Sequence, residues 1–318
     1  MVMSMSEVSK VCAAVIDEVG KTIVGKREVM ERVMLCVLAD GHVLFEDYPG
    51  LAKTMMANCF ALALGCDFKR VQFTPDLLPA DITGSYVLDR RDSSFTLRKG
   101  PVFTNVLLAD EINRAPPKTQ AALLEAMQER QVTLEGETHR ISRPFLVMAT
   151  QNPIEYEGTY PLPEAQIDRF LIRTAVGYPS KEEESLILMR RKARGREEPN
   201  VQRVIGAEMV LELQRAVESV HMEDVVNDYI VGIVSATRSH SQVEVGASPR
   251  GSLALMKLAS ANAAMAGRDF VIPDDVKRVA VPALAHRLVL AADPWVRGVR
   301  PEQVVESVLK ETPVPKVG

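Results

Sequence analysis

Asp47-Tyr48-Pro49-Gly50-Leu51-Ala52-Lys53-Thr54 is the stretch on which the fold of this chain turns. It sits between a compact apolar run, His42 to Glu46, and a helical pattern from about Ala52 to Leu64. Strand, glycine turn and helix in that order are the context a phosphate-binding P-loop requires. Backbone N–H groups of such a loop and of the first helical turn, which here includes Met55, converge on a β-phosphate, aided by the helix dipole. Lys53 would bridge the β- and γ-phosphates, and the Thr54 hydroxyl would coordinate Mg²⁺. The match to GxxxxGK[ST] is imperfect, because Asp47 stands at the first glycine position and Ala52 at the second. Alanine is acceptable if that residue is already helical, with φ below zero. Asp47 is expected at the strand exit, where its carboxylate can hold the loop by accepting backbone N–H bonds. On its own the segment reads equally as a Pro-Gly turn capping a helix.

A second motif decides between the two. Asn105-Val106-Leu107-Leu108-Ala109 has the pattern of a buried strand and runs into Asp110-Glu111. An acid pair at the carboxyl end of a strand lies where open α/β sheets bind ligands. Asp110 would hold Mg²⁺ through water, and Glu111 would polarise a water for attack on a γ-phosphate. Asp-Glu alone could simply cap a helix; together with Lys53-Thr54 it points to nucleotide chemistry.

Outward from these motifs, short apolar runs alternate with helical patterns: Arg70 to Phe73, Val106 to Ala109, Phe145 to Ala149 and Phe170 to Ala175. Such runs are the signature of parallel strands buried on both faces. Two insertions, Pro75 to Pro101 and Gln131 to Ile141, read as hairpins. Beyond Gly177-Tyr178-Pro179 the strand patterns stop. Ser180 with Glu183 forms a capping-box signature, and only helical patterns follow, from Lys181 to Glu311. The expected organisation is an α/β domain over 1–179 and an all-helical domain over 180–318, packed together because no long Gly/Ser linker separates them.

Composition narrows the class. Of 318 residues, 47% are hydrophobic and 25% charged, as in an ordinary globular protein with a core that needs no disulfide or metal staple. Thirty-eight basic against 42 acidic residues leave a net charge of −4, so no global field draws the chain to nucleic acid or to a membrane. The longest apolar stretches are too short to span a bilayer, and Met1 to Lys21 reads as an amphipathic helix where a signal peptide would need a continuous apolar segment. The cysteines (Cys12, Cys36, Cys59, Cys66) form no CxxC pair and read as small buried hydrophobes of a cytoplasmic protein. Scattered histidines offer no metal-ligand spacing. The basic cluster Arg190 to Arg196 reads as a solvated helix end.

The motifs resemble the MoxR group of AAA+ ATPases. The resemblance covers nearly the whole chain and is carried by Pro49 to Thr54, Leu108 to Ala115, Ala149 to Pro153, Tyr160 to Phe170 and Gly246 to Arg250. It implies a five-stranded parallel sheet between helices, followed by a helical lid. It also implies roles: Asn152 as the sensor 1 asparagine near the γ-phosphate, Arg169 as an arginine finger, and Arg250 as sensor 2, coupling nucleotide state to the lid. Val24-Gly25 falls where such ATPases pack the adenine, although an ordinary helix-entry turn fits there too. An Asp-Arg pair before a strand could equally be a surface ion pair, which geometry must settle. By the same resemblance the hairpins are the helix-2 insertion and the pre-sensor-1 hairpin, facing the channel of a ring; covering a sheet edge is their plainer role. The implied activity is Mg-dependent ATP hydrolysis in a hexameric ring that remodels or matures partner protein complexes, often beside von Willebrand A domain proteins. Rival readings are a DNA-remodelling motor, a metal-chelatase ATPase subunit, or a nucleotide-dependent scaffold with little hydrolysis.

Overall fold

The computed structural model describes residues 3–89, 94–152, 159–195 and 198–316. In chain order the first half contains α1 (Met5–Gly20), α2 (Arg27–Leu38), β1 (Val43–Glu46), α3 (Lys53–Ala63), β2 (Phe68–Gln72), α4 (Pro79–Thr83), β3 (Gly84–Asp89) and β4 (Ser94–Lys99). These are followed by β5 (Val106–Asp110), α5 (Pro117–Glu129), β6 (Gln131–Leu134), β7 (Glu137–Arg140), β8 (Leu146–Gln151), α6 (Glu164–Ile167) and β9 (Ile172–Thr174). The second half contains α7 (Lys181–Arg194), α8 (Ala207–Glu218), α9 (Asp224–Ser239), β10 (Val243–Val245), α10 (Pro249–Met265), α11 (Pro273–Leu284), β11 (Val289–Leu290), α12 (Ala292–Val296) and α13 (Pro301–Glu311).

Five strands form one parallel sheet in the order β2-β5-β8-β1-β9. Register aligns Glu46 with Gln151 and Gln72 with Asp110, so the candidate site residues gather along the carboxyl edge. The three central strands are buried until their last residue, as their apolar sequences require. Alternate side chains feed two cores. Val43, Phe45, Val106, Leu108 and Met148 face α1, α2, α3 and the helices of the second half, whereas Leu44, Leu107, Ala109 and Val147 face α5 and the base of the insertions. The first core runs without a break from Val8 on α1 to Val308 on α13, so the two halves pack together.

Three expectations need correction. The strand at Phe68–Gln72 is not buried on both faces: it is the sheet edge, and Lys69, Arg70 and Gln72 are exposed, which its polar residues already permit. The second half is not purely helical, because β10 and β11 pair antiparallel, Val243 opposite Leu290. A short helix, α4, also opens the first insertion ahead of its hairpin.

Both hairpins form as read, β3 with β4 and β6 with β7. The polar turn of the first, Arg90 to Ser93, lies outside the described residues. The hairpins touch each other: the Tyr86 hydroxyl donates to Glu137 at 2.5 Å and lies 3.3 Å from His139 Nε2. Ser180 caps α7 reciprocally with Glu183. Among the described residues no helix is long and apolar enough to cross a membrane.

Candidate active site

The loop from Asp47 to Ala52 connects β1 to α3, with Lys53 and Thr54 as the first two residues of the helix. Asp47 holds the loop as expected, but by a longer reach. Its Oδ1 accepts from the Tyr48 N–H at 2.8 Å, and its Oδ2 accepts from Val176 and Gly177 N–H groups at 2.7 Å each. The carboxylate therefore ties the loop to the segment that leaves β9. Ala52 departs from expectation: its φ is +58°, left-handed, so it is not yet helical. This is the conformation for which the second glycine of the motif is suited, and an alanine there carries a steric cost. Gly50 also has positive φ, +79°, and a Cβ built on it would meet nothing within 4 Å, so the loop borders open space.

That space is a cavity of about 620 Å³, lined by Pro49 to Met55, Asp110, Glu111, Thr150 and Asn152. Lys53 and the acid pair thus meet at one site. Lys53 Nζ donates to the carbonyls of Asp47 and Tyr48, both at 2.8 Å. Burial pushes its ammonium below the ordinary lysine value, and the charges of Asp47, Asp110 and Glu111 partly restore it.

The acids are held by neighbours that the sequence did not single out. Asp110 Oδ1 accepts from the Thr150 hydroxyl at 2.6 Å, and Oδ2 accepts from Arg70 at 2.7 and 3.1 Å. The same Thr150 oxygen accepts the Glu111 N–H at 2.8 Å, fixing the left-handed turn (φ +55°) at which Glu111 leaves the strand. Glu111 Oε2 accepts from Gln72 Nε2 at 2.8 Å and from Arg114 Nη1 at 2.9 Å. Arg70 and Gln72 reach the acids only through strand register, which local sequence does not reveal. Thr150 lies within the Ala149 to Pro153 block, where its position at the end of a strand was the available signal. Asn152 follows β8 and lines the cavity; its carbonyl accepts from Asn113 Nδ2 at 3.5 Å.

Arg169 and Arg250 are not in this cavity. Both line a separate one of about 300 Å³, together with Asp168, Lys257 and Arg287. Ser248 caps α10 by accepting the Arg250 N–H at 3.1 Å, with Pro249 as the first helical residue, as the sequence implied. The Asp168-Arg169 pair is not an ion pair: Asp168 binds Arg287, and the Arg169 Nε is buried without a hydrogen-bond partner.

Val24 lines a third cavity of about 340 Å³, which shares Gly50, Leu51, Ala52 and Met55 with the first and is walled by Ile23, Val176 and Ile187. Gly25 does not line it. With φ +71° and the Glu183 side chain 1.7 Å from a built Cβ, Gly25 shapes the turn into α2. Arg190, Arg191 and Arg194 stand at this cavity, and Arg190 donates to the carbonyls of Gly20 and Lys21. These side chains therefore do more than solvate a helix end.

The donor set fits a magnesium nucleotide. A loop of N–H groups opens α3, a lysine lies among them, and hard oxygen ligands are offered by Thr54 and Asp110. A cavity with an apolar wall of Ile23, Val24, Val176 and Ile187 adjoins the loop, sharing Gly50 to Ala52 and Met55 with it.

Comparison with known proteins supports this picture. Residues 42–172 match the ATPase family associated with various cellular activities (AAA), and residues 235–308 match the AAA lid domain. The chain is 48% identical to the YeaC protein of Bacillus subtilis, over 94% of this chain and 93% of that protein. It is 46% identical to Chaperone MoxR1 of Mycobacterium tuberculosis, over 94% of this chain and 81% of that protein. A crystal structure of a protein described as a candidate ATPase from Cytophaga hutchinsonii superposes with a TM-score of 0.92 at 40% identity, covering 98% of this chain and 97% of that one.

Proposed function

This chain belongs to the MoxR family of AAA+ ATPases, and from that premise we propose that it hydrolyses ATP in a hexameric ring whose active sites are shared between neighbours. One observation carries the reading. Lys53, Thr54, Asp110, Glu111 and Asn152 border one cavity, whereas Arg169 and Arg250 lie together at another. A single subunit therefore holds a nucleotide site without its arginines and a pair of arginines without a nucleotide. A head-to-tail ring joins the two at every boundary.

Within one subunit, the loop N–H groups and Lys53 bind the β- and γ-phosphates, and Thr54 and Asp110 would hold Mg²⁺. The bound ion would neutralise charge on the phosphate oxygens. Glu111 accepts a proton from the attacking water, which Asn152 orients. The base rests against Val24 and Leu51. From the neighbour, Arg169 neutralises charge that builds up on the transferred phosphoryl group, a contribution of roughly 10³–10⁵ in rate for such fingers. Arg250 acts from the same face, so both arginines work in trans. Movement of the helical half then exerts force on a partner protein. Maturation of protein complexes, with von Willebrand A domain proteins among the partners, is the role we propose, in keeping with the chaperone name of the 46% identical relative.

Phosphate release measured across protein concentrations tests this. Turnover per subunit should rise steeply as rings assemble, and Arg169→Ala should bind ATP and assemble but turn over at least a hundredfold more slowly. Wild-type turnover in Arg169→Ala would exclude the finger. ATP binding without phosphate release in the wild-type ring would make the protein a scaffold. Glu111→Gln, stalled with ATP bound, should copurify the partner.

A further inference from the structure

Arg287 lies in the turn that ends α11, with its side chain only 3% exposed. Its Nε donates to Asp168 Oδ1 at 2.7 Å. Its Nη2 donates to the carbonyls of Asp168 and Phe170 at 3.1 and 2.9 Å, and its Nη1 reaches the Leu171 carbonyl at 3.5 Å. Nη1 also donates to the Ala283 carbonyl of its own helix. One guanidinium thus grips the chain on both sides of Arg169, binding the residue before it and the residue after it. The same Asp168 carboxylate accepts the Ser248 hydroxyl at 3.1 Å, from the start of α10, and lies 3.9 Å from Arg250 Nη1. The Arg169 Nε, by contrast, has no partner of its own.

We infer that Arg287 is a positioning residue for Arg169: with Asp168 it locks the finger-bearing segment to the lid helices, so that the lid of one subunit governs hydrolysis at its neighbour's nucleotide. Three arginines (169, 250 and 287) face one cavity with one carboxylate among them. Burying a charged pair is a poor way to add stability, since an apolar contact of the same volume does as well. What the pair supplies is register. The five fixed donors of a guanidinium define the position of the Asp168 to Leu171 backbone more tightly than an apolar contact would. Because Arg287 and Ser248 both sit on the helical half, displacement of that half carries Arg169 with it.

The inference rests on Arg169 acting in trans, and a mixed-ring experiment separates the two ideas. Arg287→Gln should assemble and bind ATP within about twofold of wild type, yet turn over at least tenfold more slowly. Glu111→Gln is silent in its own site but keeps a sound finger and lid. Mixed 1:1, sites with an Arg287→Gln P-loop and a Glu111→Gln finger should restore turnover to at most about a quarter of wild type, the fraction of such boundaries in a randomly mixed head-to-tail ring. A merely structural lesion would not be rescued. The control mixes Arg169→Ala with Glu111→Gln. Recovery in the control but not with Arg287→Gln overturns the positioning role and leaves the finger standing; failure of both overturns the trans reading, and the inference with it. Should Arg287→Gln fail to assemble, Arg287→Lys and Asp168→Asn carry the same test with the same outcomes.

Discussion

Gln72 Nε2 lies 2.8 Å from Glu111 Oε2, joining the edge strand of the sheet to the carboxylate that would activate water. With Arg114 on the same oxygen, Glu111 is held against its own sheet. Gln72→Ala leaves Arg114 as its remaining partner, so it should loosen Glu111 and raise basal phosphate release, with ATP affinity unchanged. The increase should be no more than about tenfold, because a hydrogen bond to a charged group is worth roughly 1.5–3 kcal/mol when buried and this one is partly exposed. Steady-state kinetics would check it, and a fall in kcat would show that Gln72 aims Glu111 instead of restraining it.

Asp47→Gly would supply the missing first glycine of the P-loop motif, yet it should harm the protein. The Val176 and Gly177 N–H groups would lose the acceptor they share. The expected cost is about 2–4 kcal/mol, read from denaturant midpoints, together with weaker ATP binding. An unchanged midpoint would contradict the role given to this carboxylate.

Ala52→Gly should act in the opposite sense. Relief of the left-handed alanine outweighs the added freedom of the unfolded chain, and the melting temperature should rise by about 1–3 °C. A lower melting temperature would mean that the positive φ is not a source of strain.

Burial, reinforced by the nearby Arg130 charge, pushes the His42 imidazole down to about 3. It stays neutral in the fold, its Nδ1 accepting the Val147 N–H while Nε2 faces the Met127 carbonyl at 3.2 Å. Below the ordinary value of 6.5 the unfolded chain takes up a proton that the folded chain refuses. This contribution is therefore complete above pH 6.5 and is lost as pH falls toward 3, by about 1.4 kcal/mol per pH unit. His42→Gln keeps one donor and one acceptor without the proton, so the slope of stability against pH between 6 and 5 should flatten by about that amount. An identical slope in both proteins would contradict the assignment.

Much of this was legible in the sequence because apolar runs and caps are local signals. Leu107 and Leu108 mark a central strand wherever they stand, and Ser180 with Glu183 caps a helix without help from the rest of the chain. What escaped depends on contacts distant in sequence. Arg70 and Gln72 meet Asp110 and Glu111 only because β2 pairs with β5, and Arg287 reaches Asp168 only because the lid folds back across the chain. The conformation of Ala52 escaped for another reason: alanine gives no sign of a left-handed turn, which the loop imposes on it. The β10–β11 ribbon was hidden by its shortness, three residues against two.

Calorimetric titration of Mg-ATP into Lys53→Ala, beside the wild-type chain, tests most directly whether Lys53 and Asp110 meet on one triphosphate. The variant should show no detectable binding at concentrations that saturate the wild type, with its thermal melt intact. Wild-type affinity in Lys53→Ala would contradict it.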